Sequence, residues 1–167
     1  MKLSYFHVPS DVPKDFTPDT AVVIDVLRAT TTIAWALNNG AEAVQTFTDI
    51  TELLAQSSNW SSSSKVLLGE RGGTTLEGFD LGNSPRKFTP ELISGKQIVI
   101  TTTNGTRTIN ACVSAQNLLV GSFLNLSSIV DFLHKAKASV VFVCAGRMGQ
   151  FCTEDSTFAG ACLNRMS

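Results

Sequence analysis

Charge is what this sequence has least of. Only 16% of its 167 residues are Asp, Glu, Lys or Arg, where roughly 25% is usual for soluble domains. Thirteen cations against fourteen anions leave a net charge of −1, so no field of one sign draws the chain to nucleic acid or an anionic membrane. Cysteine is sparse as well. Cys112, Cys144, Cys152 and Cys162 sit in apolar surroundings and do not form a disulfide framework; they read as reduced thiols of a cytoplasmic protein. The opening Met1-Lys2-Leu3-Ser4-Tyr5-Phe6-His7 lacks the apolar stretch of a secretion signal. No apolar run approaches the roughly 18 residues that span a bilayer.

Several signatures are missing too. There is no Gly-x-x-x-x-Gly-Lys-Ser/Thr loop and no Gly-x-Gly-x-x-Gly after a strand, which argues against nucleotide binding. A Cys-x5-Arg phosphatase needs Arg six residues after its nucleophile; Gln150 follows Cys144 at that distance and Leu118 follows Cys112. Asp25-Val26-Leu27 lacks the second acid of an Asp-x-Asp phosphotransferase. His7 and His134 have no partner at metal-ligand spacing, which argues against a zinc site.

What is present is apolar patterning. The hydrophobic fraction of 43% supports one well-buried domain. Short β-branched runs recur: Ala21–Val26, Ala43–Phe47, Lys65–Gly69, Gln97–Thr101, Asn117–Gly121 and Ser139–Cys144. Helical spacing follows most of them, as at Ile33, Ala34, Ala36 and Leu37, with Gly40 placed as a C-cap. Helices are expected from Asp49 to about Ser57, from Thr106 to Ala115, after Gly121, and from about Glu154. Continuous apolar strands alternating with amphipathic helices predict an α/β fold, three-layer and sandwich-like, with a mainly parallel sheet and helices on both faces. Residues 1–167 read as a single domain. Ser57–Ser64 reads as a solvated insertion. The stretch from about 69 to 90 is too long for an ordinary connection and reads as a functional loop. The final helical face (Phe158, Ala161, Cys162, Met166) runs to Ser167 without a C-cap, which suggests a missing C-terminal portion.

Parallel sheets place ligands beyond the carboxyl ends of their strands, and four polar clusters lie there. The first is Asp25-Val26-Leu27-Arg28-Ala29-Thr30-Thr31-Thr32. Its carboxylate, Arg and helix-start hydroxyls suit a metal and an anion together. Equally, Thr30 or Thr31 is an N-cap and Asp25 pairs with Arg28. The second, Thr101-Thr102-Thr103-Asn104-Gly105-Thr106-Arg107, repeats the design, although Asn-Gly also makes ordinary turns. In the third, Cys144-Ala145-Gly146-Arg147 through Glu154-Asp155, Gly146 permits close backbone approach and Arg147 offers an oxyanion fork. Glu154 and Asp155 suit magnesium; acids following an N-cap Thr153 also stabilise a helix dipole with no metal. The fourth is Gly69-Glu70-Arg71-Gly72-Gly73, continuing through Gly78-Phe79-Asp80-Leu81-Gly82-Asn83-Ser84-Pro85-Arg86. A flexible loop of compensating charges is its plainer reading.

Together these clusters resemble the 2-phosphosulfolactate phosphatase family, magnesium-dependent hydrolases of a coenzyme M pathway. The resemblance spans essentially the whole chain in order. It implies hydrolysis of the phosphate ester of a small anionic acid, with Mg2+ as cofactor. On this reading Asp25, Arg28 and Arg147 are catalytic, and Asp25, Glu70, Glu154 and Asp155 are candidate metal ligands. Thr30, Thr31, Arg71, Asn83, Thr102, Thr103, Asn104, Gly105, Arg107 and Gly146 are candidates for binding substrate. Attack on phosphorus falls either to a polarised water or to Asp25 itself. Family members continue well beyond residue 167, which puts a missing C-terminal part on the same footing. The alternative is a non-catalytic module holding a phosphorylated or sulfonated metabolite. Five of the six arginines fall in the clusters, so the little charge there is concentrates at one site. The neutral faces are left to pack against a second subunit, as in a homo-oligomer, or against the missing C-terminal part.

Overall fold

A computed structural model of the chain describes residues 2–136 and 139–166. Its α-helices and β-strands in chain order are β1 (Leu3–Phe6), β2 (Thr20–Ile24), α1 (Ala29–Asn38), β3 (Ala43–Thr46), α2 (Ile50–Ser57), β4 (Lys65–Arg71), β5 (Thr74–Thr75), α3 (Pro90–Ile93), β6 (Gln97–Thr101), α4 (Gly105–Ala111), β7 (Asn117–Gly121), α5 (Leu126–Ala136), β8 (Val140–Cys144) and α6 (Thr153–Met166).

Every residue of β2 and β8 is buried, because both strands run through the middle of a sheet covered on its two faces. That sheet has the order β1-β8-β2-β7 and all its pairings are parallel. Val22, Ile24, Val140, Phe142 and Cys144 face α5 and α6 through Leu133, Phe158 and Cys162. Their neighbours Ala21, Val23, Val141 and Val143 pack on Ile33 of α1 and on Ile109 and Cys112 at α4. The alternation of side chains along each strand thus serves two cores at once, giving helix, sheet and helix layers.

The expected parallel α/β architecture is distributed over two sheets. The second has the order β3-β6-β4-β5, parallel except for the β4–β5 hairpin. Val66, Leu68, Ile98 and Ile100 on one face enclose Phe88, Ile93 and Ala36 of α1, so α1 belongs to both cores.

Segment 69–90 is more ordered than a loop. Strand β4 continues to Arg71, and Gly72 and Gly73, with φ of +61° and +87°, turn the chain back as the two-residue hairpins with positive φ require. Leu81 then pairs beside Leu68, while Asp80 Oδ2 accepts the Leu67 N–H at 2.8 Å. Ser57, expected in a solvated insertion, closes α2 and is buried. The four cysteines are free thiols. Among the described residues no helix is long and apolar enough to cross a membrane. The expected chain end at Ser167 lies outside the described residues.

Candidate active site

The carboxyl ends of β2, β4, β6 and β8 open onto one cavity of about 540 Å³. Its wall on the first sheet carries Asp25, Arg28, Gly146, Arg147, Glu154 and Asp155, and its wall on the second carries Glu70, Arg71, Asn83, Thr103 and Asn104. Eleven of the residues anticipated from the clusters therefore meet in one place, although they come from four separate clusters along the chain.

Asp25 sits just past the end of β2, nearly buried, and its Oδ1 accepts the Ala29 N–H at 3.2 Å. Asp155, in the first turn of α6, accepts the Val26 N–H (2.9 Å) on one oxygen and the Gly146 N–H (3.2 Å) on the other. One side chain thereby ties the loops after β2 and β8 together. Burial raises both carboxyls to about 6. The negative charge of Asp155 adds to the effect on Asp25, while the N–H groups of Val26 and Gly146 hold Asp155 back. Two desolvated acids facing one cavity call for a positive partner.

Glu70, near the end of β4, is fixed on the part of the wall that the second sheet supplies. Its Oε1 accepts the Thr103 hydroxyl (2.9 Å) and the Gly73 N–H (2.7 Å), and the same Thr103 oxygen receives the Gly72 N–H at 3.2 Å. Arg71 donates to the Glu70 carbonyl (2.8 Å) and to Thr101 Oγ1 (2.9 Å). These anchors hold the guanidinium while leaving N–H groups over. Arg147 lies on an exposed turn closed by reciprocal backbone bonds with Gln150. At Gly146 φ is +62° and a Cβ would collide with the Gln150 carbonyl oxygen, so the turn requires glycine there.

Five anticipated residues are not on the cavity wall. Thr30 donates to the Gly121 carbonyl at 2.7 Å and accepts from the Asp25 N–H at 3.0 Å. Thr31 donates to the Val26 carbonyl, and Thr102 Oγ1 accepts the Thr106 N–H. Their hydroxyls fasten strand ends to helix starts. Nor do Thr30 and Thr31 act as N-caps: α1 starts at Ala29, and Arg28 caps it without a side-chain bond. Gly105 packs behind Asp25. Arg107 is exposed on α4.

Leu27, Gly72, Gly73, Met148 and Cys152 complete the wall without having been singled out as site residues. All five lie inside the clusters, but nothing in their residue types marks them as lining. Burial pushes the Cys152 thiol up to about 11, so it stays protonated at neutral pH and is a poor nucleophile.

Among the described residues no three His, Cys, Asp or Glu side chains converge as a ready metal cage. Magnesium does not require one. It is commonly held by one or two carboxylates, with water and substrate phosphate filling the remaining positions. Asp25 and Asp155, both desolvated and both raised, are a donor set of that kind, and Glu154 lines the same wall.

Comparison with known proteins gives one consistent result. A family model described as 2-phosphosulpholactate phosphatase matches residues 6–167. A probable 2-phosphosulfolactate phosphatase of Prochlorococcus marinus (strain MIT 9313) is 49% identical over 162 residues, covering 96% of this chain and 67% of that protein. One of Synechococcus sp. (strain CC9605) is 49% identical over 167 residues, covering 99% of this chain and 69% of its own length.

Proposed function

The chain belongs to the 2-phosphosulpholactate phosphatase family, a family of phosphoric monoester hydrolases, and on that footing we propose that its cavity hydrolyses the phosphate ester of a small, multiply anionic acid, 2-phosphosulfolactate or a near relative, with magnesium as cofactor. One observation carries this reading: Asp25 and Asp155 share a cavity wall with Arg28 and Arg147. Two buried acids suit a divalent cation, and guanidinium groups suit phosphoryl oxygens.

Bound between Asp25 and Asp155, with Glu154 and Glu70 nearby, magnesium would supply charge neutralisation at the phosphoryl group. Arg28 and Arg147 bind the non-bridging oxygens and hold phosphorus in line for attack. In the overall change a water oxygen bonds to phosphorus, the ester P–O bond breaks, and the leaving oxygen takes a proton to become the hydroxyl of the free acid. Two routes use these residues: water attacks directly, or the Asp25 carboxylate attacks first and water then releases it. Rapid quenching followed by borohydride reduction and mass spectrometry at residue 25 separates them, since only the second leaves a reducible acyl phosphate.

The test of the function itself is phosphate release from 2-phosphosulfolactate by the purified protein, with magnesium and with EDTA. Release that depends on magnesium and falls at least about 10³-fold in Asp25→Asn is expected. An Asp25→Asn protein with full activity would remove the assignment.

A further inference from the structure

β1 is paired to β8 on the edge of the first sheet. The residues at its carboxyl end do not line the cavity, yet they touch the loop after β8 and the helix beyond it. The Tyr5 hydroxyl meets Ser156 Oγ, in the first turn of α6, at 2.6 Å, and accepts the Cys144 thiol, at the end of β8, at 3.3 Å. The His7 ring stands edge-on to both Tyr5 and Phe151, with centroids 4.7 and 5.2 Å away. Val8 is buried beside Gly146, where an added Cβ would come within 2.8 Å of its Cγ1. The loop and helix turn braced in this way carry Arg147, Cys152, Glu154 and Asp155, all on the cavity wall.

One set of directions satisfies every hydrogen bond in this cluster. Ser156 donates to the Cys152 carbonyl at 3.2 Å, and a hydroxyl has only one proton to give. The 2.6 Å bond is therefore donated by Tyr5, whose own proton is then spent. His7 Nδ1, 3.0 Å from the phenol oxygen, must be the donor there. His7, Tyr5 and Ser156 thus form a one-way chain that ends on the Cys152 carbonyl, with the Cys144 thiol joining at Tyr5. Burial pushes the Tyr5 phenol and the Cys144 thiol each up to about 12, so both keep the protons that the chain needs at neutral pH. Each member of such a chain polarises the next, which holds it more firmly than separate bonds would.

We propose that Tyr5 is a positioning residue of the site: its hydroxyl, oriented by His7 and Cys144, holds the first turn of α6 through Ser156 so that Asp155 and Glu154 are set at the cavity. Asp155 in turn grips the Val26 and Gly146 N–H groups, so slack in this helix turn loosens both loops of the wall. The inference rests on the magnesium-binding part of the phosphatase reading, but not on turnover.

Two variants break the same bond from opposite ends: Tyr5→Phe keeps the ring and removes the hydroxyl, and Ser156→Ala removes its acceptor. Calorimetric titration with magnesium chloride in the presence of inorganic phosphate reads the site without hydrolysis. Each variant is expected to bind magnesium about tenfold more weakly than the wild type, as loss of a group that orients a metal ligand commonly does. The double variant should lose no more than either single one, because the interaction is already gone. Ser139→Ala is the comparison for stability alone. It removes the Ser139–Asp19 hydroxyl bond (2.7 Å) just before β8, at the far end of that strand, and should leave magnesium affinity unchanged. Unchanged affinity in Tyr5→Phe and Ser156→Ala, additive losses in the double variant, or an equal loss in Ser139→Ala would each overturn the assignment. If affinity falls as expected but the wild type hydrolyses no ester, Tyr5 keeps this role and the phosphatase reading fails. If the wild type hydrolyses the ester and both variants match it in binding and rate, the reading stands and the inference fails. A wild type that takes up no magnesium overturns both.

Discussion

Gly105, at the start of α4, stands directly behind the Asp25 carboxylate: a Cβ added there would lie 2.6 Å from Asp25 Oδ2 and would also meet the Ala29 Cβ. The contact joins the end of β6 to the end of β2 across both sheets. Gly105→Ala is expected to push Asp25 out of position and to overpack α4 against α1. The expected cost is about 1–3 kcal/mol of stability and at least about 10²-fold in kcat/KM. Thermal melts and phosphate release measured on the same preparation check it. An alanine variant with unchanged activity would show that Asp25 can shift freely.

How much of this was readable beforehand depended on which interactions decide each feature. Gln97–Thr101 and Asn117–Gly121 are legible to the residue, because three consecutive apolar residues between polar or glycine ends have few other uses. β1 went unread: Leu3–Phe6 is short and lies on the sheet edge with half-exposed side chains. The division into two sheets depends on β3 pairing with β6 rather than with β2, a long-range choice that local pattern does not encode. The same distinction runs through the site. The acids Asp25, Glu70, Glu154 and Asp155 and the arginines Arg28, Arg71 and Arg147 gather at the cavity, whereas Arg107 does not. The threonines divided by direction rather than type. Thr103 reaches Glu70, whereas Thr30, Thr31 and Thr102 bond to nearby backbone, as short hydroxyl side chains at helix starts readily do.

Asp25 should make the metal-free protein sensitive to pH. Burial raises its carboxyl from 3.8 to about 6, so between those values the folded state holds a proton that the unfolded state has released. Stability is then greatest on the acid side and declines as pH rises through about 6. Two pKa units correspond to at most about 3 kcal/mol. In EDTA, the melting temperature of the wild type is expected to fall between pH 5 and pH 8. Asn at position 25 can still accept the Ala29 N–H but carries no charge. Asp25→Asn should therefore show a smaller fall and melt above the wild type at pH 8, while losing activity. Parallel pH slopes for the two proteins would contradict this account.

Thr103 acts through Glu70. Its hydroxyl is the hinge between the loop after β6 and the hairpin after β4, donating to Glu70 and accepting from Gly72. Thr103→Val keeps the shape and removes both bonds, leaving Glu70 Oε1 with the Gly73 N–H alone. The expected result is a drop of about tenfold in kcat/KM, together with weaker magnesium dependence if Glu70 adjoins the metal. Thr103→Ser restores the hydroxyl and should recover most of the loss. Failure of the serine to rescue would mean that the methyl group, not the hydrogen bond, is what the site requires.

Arg147 and Arg107 provide a comparison within one protein. Both follow a strand end, both are exposed, and both stand in clusters of similar design. Only Arg147 lines the cavity, set there by a turn that Gly146 makes possible and that the Asp155 carboxylate anchors through the Gly146 N–H. Arg107 is exposed on α4 and is not among the residues that line the cavity. Loss of one preorganised donor to a phosphoryl oxygen costs about 10²–10³ in kcat, so Arg147→Gln should fall by that amount and Arg107→Gln by less than about twofold. Steady-state kinetics at saturating substrate measure both. Equal losses would mean that long-range charge, not placement, draws the substrate in, and in that case raising the salt concentration would reproduce both effects in the wild type.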